Sequence, residues 1–150
     1  MSDLTVFSPD FKEFVELLNK NEVKYLITGG YAVSLYGHPR NTGDIDFWVE
    51  PTDTNAKNLV QVFNEFGLSS FEVSEKDFLK KDSVIQIGYP PYRIDIITGI
   101  DGVSFDEAYP NKKVVNLDGV DLIFIGIKEL KRNKKATGRH KDLDDLENLE

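Results

Sequence analysis

Two aspartates stand two residues apart in the stretch Thr42-Gly43-Asp44-Ile45-Asp46-Phe47-Trp48-Val49. Read as a strand, this stretch projects both carboxylates from one face and Ile45, Phe47 and Val49 from the other, towards a core. Two carboxylates held within a few ångströms repel unless a cation lies between them, and a divalent metal is the usual remedy. A third carboxylate is expected from Arg93-Ile94-Asp95-Ile96-Ile97, where Asp95 shares a strand face with Arg93 and Ile97. An aspartate between isoleucines in mid-strand is costly unless solvated or liganded. If the two strands are neighbours, Asp44, Asp46 and Asp95 converge into the oxygen-rich cage that hard divalent cations prefer.

The elements that must position these groups are legible in the flanking sequence. Ser8-Pro9-Asp10 opens a helix with an apolar face of Phe11, Phe14, Val15 and Leu18. Val23 to Ile27 reads as a strand that stops at Thr28-Gly29-Gly30, followed by a short helix from Tyr31 to Tyr36 closed by Gly37. Gly29-Gly30 therefore lies where a strand hands over to a helix N-terminus, a place where backbone N–H groups can face an anion. The same dipeptide also serves as an ordinary tight turn. The loop His38-Pro39-Arg40-Asn41 leads into the aspartate strand, and Arg40 can reach a phosphate or pair with Asp44 or Asp46.

Pro51-Thr52-Asp53-Thr54 caps a second long helix with Ala56, Leu59, Val60 and Phe63 on its apolar face and Gly67 beyond its end. Ser74 to Lys80 reads as a helical turn, and Val84 to Gly88 as a strand before the Asp95 strand. Lys113–Leu117 and Val120–Ile125 flank Asp118-Gly119, a strong hairpin signal. Helices are expected from Ile127 to Lys135 and from Arg139 to Leu149, the latter with Leu143, Leu146 and Leu149 at a spacing of three. The sum is an α+β, two-layer fold with a mixed sheet of about five or six strands backed by helices, in a single domain over 1–150.

Composition narrows the chemistry. With 150 residues, 40% of them hydrophobic, the chain can bury about 68–70% of its unfolded surface. The absence of cysteine excludes disulfides, thiolate metal sites and cysteine nucleophiles, and two histidines make zinc a poor candidate. An oxygen-held ion favours magnesium or manganese. A net charge of −8 argues against extended nucleic acid as a partner. No apolar run approaches membrane-spanning length and Met1-Ser2-Asp3-Leu4 lacks the pattern of a secretory signal, so a cytoplasmic protein is expected. Positive charge concentrates in Lys128, Lys131, Arg132, Lys134, Lys135, Arg139 and Lys141, which would suit either a solvated helix face or a nucleotide's phosphate tail.

The order Gly29-Gly30, Arg40-x-Thr42-Gly-Asp44-Ile-Asp46 and Arg93-x-Asp95 resembles the polymerase-beta-like nucleotidyltransferase superfamily. Gly29-Gly30-Tyr31-Ala32-Val33, Gly37-His38-Pro39-Arg40, Asn133-Lys134-Lys135-Ala136 and Gly138-Arg139-x-Lys141-Asp142-Leu143 are similar to its small single-domain bacterial members. The resemblance implies that Asp44 and Asp46 share two Mg²⁺ ions and that Asp95 is a third ligand and the base for an acceptor hydroxyl. It further implies that Gly29 and Gly30 take the β- and γ-phosphates of a nucleoside triphosphate, with Arg40, Thr42, Lys134, Arg139 and Lys141 as further nucleotide contacts. Many members carry Gly-Ser where this chain has Gly-Gly. Larger members hold the acceptor with a helical domain; here it is expected to be held by this domain, a second subunit as in a homodimer, or a partner.

Three readings stay open in the sequence. The first is transfer of a nucleoside monophosphate to a hydroxyl of a small molecule or protein, with release of pyrophosphate. The second is a toxin–antitoxin regulatory module paired with a helical toxin. The third is an Asp-x-Asp glycosyltransferase, which leaves Asp95 and Gly29-Gly30 without a role.

Overall fold

A computed structural model describes residues 8–37, 43–67, 72–88 and 92–149. Arg40, Thr42, His38 and Tyr89 lie outside the described residues. The chain begins with helix α1 (Pro9–Lys20), strand β1 (Tyr25–Thr28) and helix α2 (Gly29–Leu35), then strand β2 (Ile45–Val49). Helices α3 (Asp53–Glu65) and α4 (Glu75–Leu79) precede the strands β3 (Val84–Ile87) and β4 (Ile94–Ile97). A short helix α5 (Phe105–Ala108) runs into a 3-10 turn at Tyr109–Asn111. The hairpin β5 (Lys113–Leu117) and β6 (Val120–Phe124) and the helices α6 (Ile127–Thr137) and α7 (His140–Asn148) complete the fold.

The six strands form one mixed sheet in the order β3-β4-β2-β1-β6-β5. Strands β1 and β6 are parallel, as are β2 and β4, and the remaining neighbours are antiparallel. The expected two-layer α+β architecture is therefore present.

Alternation along β2 separates two sheet faces. Ile45, Phe47 and Val49 point to the helical layer, where Phe14 of α1 meets Phe47 at 5.5 Å between ring centroids. Phe63 of α3 packs on Phe14 at 6.2 Å. The apolar positions of α1 named from their spacing, Phe11, Phe14, Val15 and Leu18, are all buried. On the second face Trp48 is buried against Phe105, with centroids 5.2 Å apart. Trp48 is thus a core residue. Among the described residues no helix is long and apolar enough to cross a membrane.

Two further differences from the sequence pattern bear on the site. Strand β2 starts at Ile45, so Asp44 sits on the entering loop and not within the strand. Helix α7 buries its leucines only in part: Leu149 just past its end is buried and Leu146 half-buried, while Leu143 is exposed and Asp142 and Asp145 are buried. Their partner is Lys134 on α6, whose Nζ lies 3.0 Å from Asp142 and 3.3 Å from Asp145. An ammonium between two carboxylates turns a polar helix face into an internal one.

Candidate active site

The site is built by register. Asp46 on β2 is the pairing partner of Asp95 on the parallel neighbour β4, so the two carboxylates stand side by side on the sheet face away from the main helical layer. Asp95 is buried and Asp46 partly so. Burial pushes the Asp46 carboxyl up, to about 7; the negative charge of Asp95, a hydrogen bond to Asp95 and the charge of Asp44 push it the same way. The Asp46 carboxyl is therefore held partly protonated near neutral pH, which relieves part of the repulsion between the two.

Arg93 relieves the rest. Its Nε donates to Asp95 Oδ1 at 2.8 Å, and its Nη2 donates to Asp95 Oδ2 at 3.1 Å and to Asp44 Oδ2 at 3.0 Å. The guanidinium holds Asp44 and Asp95 together from one side. As the side chains stand, no cluster of three or more metal-ligating residues is formed among the described residues. The donor set nonetheless suits a hard cation. Asp44, Asp46 and Asp95 offer only oxygens, and a proton and a guanidinium supply the positive charge that the arrangement demands.

Gly29 is fitted to this pair. Its φ is +68°, and a Cβ there would collide with Asp46 Oδ2. The glycine is needed both for its left-handed backbone and for the approach of the α2 start to the carboxylate. Gly30 follows at the same helix start, and both are partly exposed.

Asp46 and Asp95 line a cleft of about 600 Å³ with Thr28, Gly29 and Gln86 on the sheet side. The α6–α7 junction forms the facing wall with Asn133, Lys134, Thr137 and Arg139. The cleft thus gathers the predicted Gly29, Asp46, Asp95, Lys134 and Arg139. The side chain of Lys134 is only 7% exposed and committed to Asp142 and Asp145. Arg139 donates through Nε to Asp142 yet keeps 70% of its side chain exposed. Lys141 is exposed on α7 and is not among the residues lining the cleft.

Sequence reasoning assigned no site role to Thr28 or Gln86 and did not foresee Arg93 as the counterion of the triad. The signal for Gln86 was the one used for Asp95: a polar side chain between two isoleucines in mid-strand.

Titration of Asp46 predicts how the metal-free protein responds to pH. Its folded value lies above that of an unfolded aspartate, so its contribution is complete below about pH 4 and lost as pH rises through about 7. Metal-free protein is expected to melt lower at pH 8 than at pH 5, by on the order of 5 °C. Asp46→Asn should flatten this slope in thermal melts; an unchanged slope would place its origin elsewhere.

No protein-family profile and no curated protein sequence matches the chain. Solved structures do. A candidate nucleotidyltransferase from Thermotoga maritima superposes with a TM-score of 0.62 at 15% identity, covering 98% of this chain and 96% of that one. An antigenic nucleotidyltransferase-like protein from Paracoccidioides brasiliensis gives a TM-score of 0.57 at 19% identity, covering 89% of this chain and 70% of the other. The lincosamide antibiotic adenylyltransferase LnuA, bound to lincomycin, gives 0.55 at 15% identity over 96% of each chain. The six-stranded mixed sheet and its helical layer are accordingly those of the nucleotidyltransferase fold.

Proposed function

We propose that the chain is a metal-dependent nucleotidyltransferase that moves a nucleoside monophosphate from a nucleoside triphosphate to a hydroxyl on a small molecule or protein, releasing pyrophosphate. The observation that carries this reading is the in-register pairing of Asp46 with Asp95 at the floor of a cleft that Gly29 and Arg139 also line. Asp44, Asp46 and Asp95 would hold two Mg²⁺ or Mn²⁺ ions. Bound there, such ions supply Lewis-acid stabilisation of the attacking and leaving oxygens.

The chain's own groups do the rest. The backbone N–H groups of Gly29 and Gly30 cradle the β- and γ-phosphates, which approach closely because neither residue has a Cβ. The exposed guanidinium of Arg139 pairs with the triphosphate, while Lys134 acts from behind by fixing α7. Arg40, Thr42 and Lys141 are proposed as outer nucleotide contacts. Asp95 accepts the proton of the acceptor hydroxyl as its oxygen forms a bond to the α-phosphorus. The bond from that phosphorus to the bridging oxygen breaks, and pyrophosphate leaves.

The direct test incubates the protein with each of the four nucleoside triphosphates and Mg²⁺ or Mn²⁺, following pyrophosphate release and the melting temperature. Metal-dependent stabilisation by at least one triphosphate and slow pyrophosphate release are expected. Absence of both with every nucleotide would defeat the reading.

Gly29→Ala supplies a local check. The new methyl would force Asp46 aside and add a left-handed alanine, a strain of about 1–2 kcal/mol. Metal-dependent activity should fall at least about tenfold while the protein stays folded, as read by circular dichroism and pyrophosphate release.

A further inference from the structure

Strand β5 closes the sheet on the side away from β3 and β4. Its neighbour β6 returns through the two-residue turn Asp118-Gly119, whose φ values of +51° and +83° are those of a type I′ hairpin. Such a turn makes Leu117 and Val120 a hydrogen-bonded pair. Bonded and non-bonded pairs alternate along an antiparallel ladder, so Val115 and Lys113 also bond to β6 while Val114 and Asn116 turn their backbone N–H and C=O groups outward. Among the described residues nothing hydrogen-bonds to these outward backbone groups. The side chain of Val114 is exposed as well.

We propose that β5 is a dimer interface, pairing antiparallel with β5 of a second copy of this chain about a twofold axis at Val115. Val114 then faces the partner's Asn116, Lys113 faces the partner's Leu117, and Lys112 faces the partner's Asp118. The Val114–Asn116 pair joins two outward-facing residues, and the axis repeats it, each pair exchanging two N–H···O bonds. Charge selects this register. Lys112 precedes the strand, its ammonium 4.3 Å from the Tyr109 ring centroid, and Asp118 follows it, so the axis brings the two together at both ends. Moving the axis to Val114 sets Lys112 against Asn116, and moving it to Asn116 sets Asp118 against Val114; neither joins the charges. A lysine is a common guard of sheet edges, and here the same strand carries the charge that answers it. The other edge, β3, has no such complement: Lys80, Lys81 and Asp82 all lie before it and Gly88 follows it. No residue of β5 lines the carboxylate cleft, so both clefts stay open in the dimer whatever reaction they perform.

A five-residue strand buries far less than the roughly 1,200–2,000 Å² of a standard interface, so the dimer is weak, with Kd on the order of 100 µM. Sedimentation velocity from about 5 to about 500 µM should show the monomer converting to dimer. Amide exchange read by NMR over the same range should slow at Val114 and Asn116, while Val115, already bonded to β6, stays protected throughout. Val114→Pro removes only an outward N–H, which edge strands tolerate, and should abolish the dimer with the melting transition retained. Asp118→Asn keeps a good turn pair, Asn-Gly, and should raise Kd about fivefold. Lys112→Glu should raise it more than about tenfold, and adding Asp118→Asn to it should recover part of that loss. A chain that stays monomeric over the whole range overturns the proposal. So does a dimer that Asp118→Asn and Lys112→Glu leave unchanged, or one whose newly protected amides lie outside β5; these two readouts decide the matter even if Val114→Pro fails to fold.

Discussion

Replacing Asp44 and Asp46 together by asparagine is expected to lower Mg²⁺-dependent pyrophosphate release by roughly a thousandfold or more while leaving the fold intact. Two of the three carboxylates that Arg93 and the β2–β4 register bring together beside the cleft would be lost, and asparagine offers a weaker, uncharged oxygen to a hard cation. The effect on stability should have the opposite sign. Asp46 is held partly protonated by burial and by its neighbours, so an uncharged side chain of the same shape removes repulsion at neutral pH. Arg93 keeps two contacts with Asp95 when Asp44 is neutral. A melting temperature equal to or above that of the wild type, together with lost activity, is the signature of residues kept for chemistry at a cost in stability. Pyrophosphate release and thermal melts on the same samples decide the matter. Retained activity would remove the pair from the chemistry, and a collapsed melt would make it structural.

Much of this site could be read from the chain because period-two alternation dictates which side chains share a strand face. Asp46 and Asp95 each sit between apolar neighbours that belong to the core, so their own direction follows. The handover at Gly29-Gly30 was equally legible from where β1 stops. Neighbour relations are a different matter. Spacing along one strand says nothing about which strand lies beside it, so the counterion role of Arg93 across to Asp44, 49 positions away, was hidden. Likewise Trp48 and Asp46 share one face, and only the placement of Phe105 makes one buried and the other a site residue. The largest misreading concerned α7. A spacing of three among Leu143, Leu146 and Leu149 suggests an apolar stripe, yet the buried positions include Asp142 and Asp145. Pattern reasoning assigns carboxylates to water by default, and it fails where a cation on another helix has been buried with them.

That buried cation leads to the second large effect. Lys134→Met is expected to destabilise the protein by about 3–5 kcal/mol, because it keeps the packed stem but removes the ammonium that lies between two buried carboxylates. By the usual conversion this lowers the melting temperature by on the order of 10 °C. Asp142 explains the size. Burial raises its carboxyl, but hydrogen bonds from Arg139, Thr137 and Lys134 outweigh burial and hold it well below the usual carboxylate range. A depressed folded value means that this contribution is complete above the unfolded value near pH 4 and is lost as pH falls towards the folded one. The gap in stability between wild type and Asp142→Asn should therefore be wide at pH 7 and shrink below about pH 4, which urea titrations at the two pH values can measure. A gap independent of pH would assign the cost to packing and not to charge. Because Arg139 and Lys134 line the cleft while bonded to Asp142, loosening this lock should also weaken triphosphate binding, a consequence visible as a smaller ligand-induced shift in melting temperature.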